Sequence, residues 1–197
     1  MRNSRQLILF QGALGGLICG LCLSGRFSLL MPISIALLWS SSKDIVAGAL
    51  WGLIAVLVSH RWILSLHPLT WIGIPSAFSL PIAISIWLLC GSFGSFLVAI
   101  WSFLRTKVLP ENLIILVNNS NKYYSLIFLS GLWGLSEVLL AKSPFFWIGV
   151  GTSFLPGDRF IAGLAKWIGS GGLATCQLLI GFWLWELILI IKRKDNW

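Results

Sequence analysis

Few side chains in this sequence can do chemistry: Asp and Glu together number 6, His 2 and Cys 4. Two of the carboxylates, Glu137 and Glu186, stand inside long apolar runs. A charge in such a run is expensive and normally faces a cavity or a partner. For Glu137 two readings are open. It shapes the floor of a ligand site, or it holds two helices together. Arg61, Lys142 and Arg159 are the candidate partners, and a protonated carboxyl is the alternative. Glu186 lies near the end of its run, where snorkelling or pairing with Lys192 or Arg193 accounts for it. His67, beside Pro68, could ligate, titrate or cap. Its nearest histidine is His60 and no Cys or Asp is close, so no metal site is expected. Cys19, Cys22, Cys90 and Cys176 all lie in apolar runs and read as packing residues. A cysteine nucleophile needs a base within hydrogen-bond reach. Cys176 and Glu186 are ten residues apart, about 15 Å along a helix axis, and Cys90 has no neighbouring acid or base. No catalytic set and no cofactor are expected within these residues.

The elements that would position these groups are membrane helices. The chain is 57% hydrophobic and 10% charged, with a mean hydropathy of +0.91. A soluble domain carries about 25% charged residues. The apolar residues come in continuous runs, which excludes the alternating pattern of a membrane barrel. The fold class is therefore all-α, a polytopic integral membrane helix bundle forming a single transmembrane domain over residues 1–197. About six spans are expected, at Met1–Ser24, Phe27–Trp39, Ile45–Leu64, Ala77–Leu104, Tyr123–Ala141 and Trp167–Ile191. The second is short. In the first, Gly12, Gly16 and Gly20 fall on one face, a spacing that suits close helix approach as well as generic glycine tolerance. Pro81 and Gly91 to Gly94 offer places for a kink in the fourth. Leu113 to Val117 reads as a short surface helix, followed by turn chemistry at Asn118 to Asn121.

The net charge of +8 does not point to nucleic acid, because the basic residues lie between and beyond the apolar runs, where they orient helices. With six spans, Arg2, Arg5, Lys43, Arg105, Lys107, Lys122, Lys192, Arg193 and Lys194 share one side, and Arg26, Arg61, Lys142, Arg159 and Lys166 the other. Nine against five predicts both termini in the cytoplasm. Two unusual connections, Ser65 to Pro75 and Ser143 to Arg159, then lie outside together. Both are rich in Trp, Gly and Pro. Irregular backbone at membrane depth must be covered by protein or line a cavity, so the two are expected to meet in a lipid-handling mouth around Glu137. Trp71, Trp147 and Trp167 suit membrane boundaries.

At these connections the sequence resembles the membrane domain of bacterial apolipoprotein N-acyltransferase. Trp62, Ser65 and His67, followed by Gly73 and Pro75, are similar to that family's W..-S-L-H...G-G-x-P signature. Trp133 and Glu137 resemble its L-W-x-x-x-E, and Phe145, Trp147, Gly151 and Ser153 its F-P-W-x-x-x-G-Y-S. Gly169 and Gly172 fall where the family has a small-residue approach to its next helix. The order and spacing of these short motifs carry the resemblance over nearly the whole chain. Three positions depart from it: Phe146 stands for a proline, Leu140 for an arginine and Phe154 for a glutamine. The resemblance implies a bacterial plasma (inner) membrane location. It also implies transfer of a phospholipid acyl chain to the amino-terminal cysteine of a lipoprotein. The family's Glu-Lys-Cys set sits in a nitrilase-like periplasmic domain, for which these 197 residues hold no soluble region. The expectation is a membrane half that needs a separately encoded nitrilase-like half, or is inactive alone. The expected partners are membrane phospholipid, a lipoprotein and that nitrilase-like half, with no nucleic acid. A small non-enzymatic membrane binding or transport protein is the alternative, although the two halves of the chain show no internal repeat.

Overall fold

The structure is a computed structural model that describes residues 2–25, 27–110, 120–142, 149–154 and 159–194. Six α-helices follow in order: α1 (Arg2–Leu23), α2 (Met31–Ser41), α3 (Ile45–Ser59), α4 (Ser76–Val108), α5 (Ser120–Ala141) and α6 (Arg159–Lys194). Short 3-10 turns occupy Ser28–Leu30, Arg61–Leu66, Leu69–Ile72 and Val150–Phe154. Among the described residues there is no strand. Five helices are long and apolar enough to cross a membrane, so the protein is an all-α polytopic membrane bundle.

The second expected span is built differently from the others. Helix α2 has 11 residues, about 16 Å of helix against a hydrocarbon core of about 30 Å. Pro32 seats its first turn, where a missing N–H costs nothing. The segment still returns the chain along α1. The Cys22 thiol donates to the Phe27 carbonyl, the Ser34 hydroxyl to Gly15 O at 2.7 Å, and the Ser40 hydroxyl to Gln11 Oε1 at 3.1 Å. At the end of this path Asp44 caps α3 by accepting from Val46 N at 2.9 Å, and it accepts from Arg5 Nε at 3.1 Å. Both Arg5 and Asp44 therefore lie at one end of the bundle. The alternation continues through α6, so α1 starts and α6 finishes at that same end.

Glycines set the helix spacing. A Cβ at Gly12 or Gly16 would meet the backbone of Ala47 or Trp51 on α3, and one at Gly20 would meet Val58. The glycine face of α1 thus packs inside the bundle. Helix α4 runs unbroken through Pro81, and Gly91 and Gly94 serve packing there, facing Leu57 and Val56 of α3. Helices α5 and α6 meet backbone to backbone at Gly134 and Gly171, which leave no room for a side chain on either. This corrects the expectation placed on Gly169 and Gly172. Gly169 breaks α6 with φ 67° and ψ 179°, a conformation that favours glycine, and Gly172 packs on Ile168. The expected surface helix at 113–117 lies outside the described residues.

Tryptophans fill the core as well as the boundaries. Trp51, Trp133, Trp101, Trp39, Phe182 and Trp185 form a continuous edge-to-face column with centroids 6.0, 5.3, 4.9, 5.1 and 5.6 Å apart in turn. Their indole N–H groups cross-brace helices. Trp39 donates to Leu178 O at 3.0 Å, Trp101 to Leu129 O at 3.1 Å and Trp51 to Ser34 O at 3.3 Å. An indole buried in apolar surroundings must find such an acceptor. By contrast Trp71 and Trp167 are 71% and 81% exposed at the opposite end from Arg5.

Candidate functional site

The helix-spacing glycine Gly134 lies one turn before Glu137, and the two together set where α5 meets its following connection. Glu137 is 4% exposed, near the end of α5. Its Oε1 accepts from Trp133 Nε1 at 2.8 Å, one turn earlier, and from Val150 N at 2.7 Å. Oε2 accepts from Gly151 N at 3.3 Å. Val150 and Gly151 begin the Val150–Phe154 turn, so the carboxylate holds the unpaired N–H groups at the start of a 3-10 turn, as a capping acid does. Gly149 has no Cβ, which would collide with the carboxylate, and a Cβ on Gly151 would collide with Ser170 O on α6. Those two glycines let the connection lie between α5 and α6. Among the described residues Glu137 has no basic partner, so Arg61 and Lys142 do not take the pairing role open to them in the sequence.

The rest of the turn is equally tied. Ser153 donates to Val150 O at 2.7 Å and accepts from Gln177 Nε2 of α6 at 3.1 Å. Both are buried. Gln177 went unnoticed in the sequence, although an amide within the run TCQLLIG is the kind of intramembrane polar group that marks a partner. Phe145 and Trp147 lie outside the described residues.

The first group of family-motif residues sits at the same end on other helices. Ser65 donates to Trp62 O at 2.6 Å, within its own turn. His67 Nδ1 lies 2.8 Å from Ser79 Oγ, and Leu69 N donates to that same hydroxyl at 2.7 Å, which folds the connection back onto the start of α4. Gly73 closes the turn at φ 82°, and Pro75 precedes the first residue of α4. Over their described residues the two connections pack on different helices: Ser65 to Pro75 on α3 and α4, and the Val150–Phe154 turn on α1 and α6. Glu137 serves only the second.

Two spaces adjoin Glu137. A cleft of about 190 Å³ between α4 and α5 is lined by Leu97, Ile100, Leu104, Leu132, Leu140 and Glu137, with Trp101 and Trp133 behind. A void of about 20 Å³ on the other side of Trp133 is bounded by Cys19, Trp51 and Glu137. It has room for about one water and none for a substrate. At the far end of the bundle Lys122 of α5, fully buried, pairs with Glu186 of α6. Lys122 is a partner for Glu186 that sequence spacing did not offer, and a buried ammonium needs its counter-ion more than an exposed one does.

The whole chain aligns with known proteins. A protein of Prochlorococcus marinus (strain MIT 9313) named apolipoprotein N-acyltransferase is 51% identical over 189 residues, 96% of this chain and 38% of that protein. One from a second strain of Prochlorococcus marinus, of the same name, is 49% identical over 199 residues, covering 100% of this chain and 40% of the relative. Another of that name, from Parasynechococcus marenigrum (strain WH8102), is 46% identical over 197 residues, 100% of this chain and 41% of its own. This chain is homologous to the amino-terminal part of apolipoprotein N-acyltransferases. It spans about two-fifths of the length of the curated relatives it matches. No family model matches the chain, and no solved structure matches it. Within the segment so aligned, Glu137 and its pinned turn form a buried, hydrogen-bonded polar cluster.

Proposed function

We propose that this bundle is the membrane component of apolipoprotein N-acyltransferase-type lipoprotein maturation in a bacterial plasma membrane. In that reaction an acyl chain leaves a phospholipid ester for a cysteine thiolate, and then passes to the amino-terminal amine of a lipoprotein cysteine. A nitrilase-like half supplies the cysteine. The bundle itself binds and presents the acyl chain, with the Glu137 end facing outward, as the nine-to-five split of basic residues favours.

The observation that carries this reading is the apolar cleft between α4 and α5 with Glu137 at its edge. Its lining takes hydrocarbon, and its one carboxylate is already occupied by three N–H donors, so it fixes the turn above the cleft. Two of the four cysteines support a division of labour. Cys19 and Cys22 are fully buried in α1, and the Cys22 thiol is committed to a backbone carbonyl. The test is mass spectrometry of lipoprotein amino termini in a deletion strain. Loss of the amide-linked acyl chain, restored by the wild-type gene and restored poorly by Leu132→Trp, which fills the cleft, supports the reading. Unchanged lipoproteins in the deletion strain would overturn it.

A further inference from the structure

A second, larger cavity lies at the opposite end of the bundle from Glu137. It measures about 450 Å³ and runs between α2 and α6, with Gln11 of α1 at one edge. That volume is within the range of small-molecule sites. Its lining is graded. Gln11, Ser40 and Lys192 sit toward the end where α1 starts and α6 finishes; Leu37 lies about one turn deeper, and Ile33 and Leu184 about two. Ser40 and Gln11 are hydrogen-bonded to each other there at 3.1 Å. Lys192 opens the run Lys192-Arg193-Lys194. Residues 184 to 192 cover about 12 Å along the helix axis.

We propose that this groove holds one phospholipid with an anionic headgroup, taken from the leaflet at the end carrying Arg5 and Lys192. The charge pattern commits it to that occupant. A basic side chain at headgroup depth attracts phosphate, and the apolar depth beyond it matches an acyl chain. Neither a second copy of this chain nor a partner helix would need a cation at one end and hydrocarbon at the other. The lipid braces α2, the helix too short to cross alone, against α6. It is separate from the acyl donor at the Glu137 end, so the proposal stands independently of the activity.

The test uses the full-length protein carrying these residues, purified in detergent and exposed to phosphatidylglycerol or phosphatidylcholine, with retained lipid read by native mass spectrometry. One phosphatidylglycerol should be retained in preference to phosphatidylcholine. Lys192→Gln, a change at an exposed position, should weaken its retention about fivefold. Ile33→Trp, which fills the deep end, should abolish retention of both lipids. Equal retention of the two headgroups, retention unchanged by both variants, or a protein dimer in place of the lipid adduct would each overturn the proposal.

Discussion

Removing the Glu137 carboxylate leaves three N–H donors without an acceptor, those of Trp133, Val150 and Gly151. Glu137→Ala should therefore destabilise the bundle by about 2 kcal/mol or more; thermal melting in detergent checks this. Glu137→Gln keeps one oxygen and should lose less. Gln177→Leu is expected to behave differently. Gln177 Oε1 has no hydrogen-bond partner among the described residues. Replacing the amide removes an unsatisfied atom along with one bond, and stability in the same assay should change by under about 1 kcal/mol. Glu137 was legible as a special residue because a carboxylate in an apolar run needs a reason. What it does was not legible, because two of its donors come from across a connection. Sequence spacing names the basic residues within reach but not a backbone N–H that a turn aims at an oxygen.

At the scale of elements, glycine spacing offered a packing face on α1 as one of two readings but gave no sign of the crossing of α5 and α6. Gly12, Gly16 and Gly20 repeat every fourth residue, whereas Gly134 and Gly171 are single contacts on separate helices. The crossing offers a controlled comparison. Gly134→Val must push two backbones apart and should reduce the yield of folded protein severely. Gly131→Val, three residues earlier on α5 and facing open space, should fold as the wild type does. The Lys122–Glu186 pair ties the same two helices at their other end. Glu186→Gln removes the carboxylate charge opposite a buried ammonium, at a cost of about 3 kcal/mol. The exchanged pair Lys122→Glu with Glu186→Lys should recover part of that stability, read by the same melting assay.

For the molecule as a whole, about six spans could be read from apolar runs and turn chemistry; among the described residues five helices are long enough to cross and the second is short, while the chain direction still alternates. Hydropathy could not show that the second pass is a short helix held by its neighbours, because it reports solvent preference and not what packs against what. Nor could it show that the described residues of the two connections pack against different helices at the Glu137 end. Labelling engineered thiols checks the arrangement: Thr70→Cys and Lys166→Cys should react from one side of the membrane, and Lys43→Cys from the other. Thr70 and Lys166 on opposite faces would rule out this topology.

The indole of Trp39 has one further implication, for biogenesis. Its N–H acceptor is Leu178 O, 139 residues later in the chain. A ribosome has to translate 139 further residues before that acceptor exists, so α2 must wait in the insertion machinery, or beside it, in an unfinished state. Nascent chains halted before residue 170 should therefore be cleared by membrane proteases far faster than chains halted after residue 190.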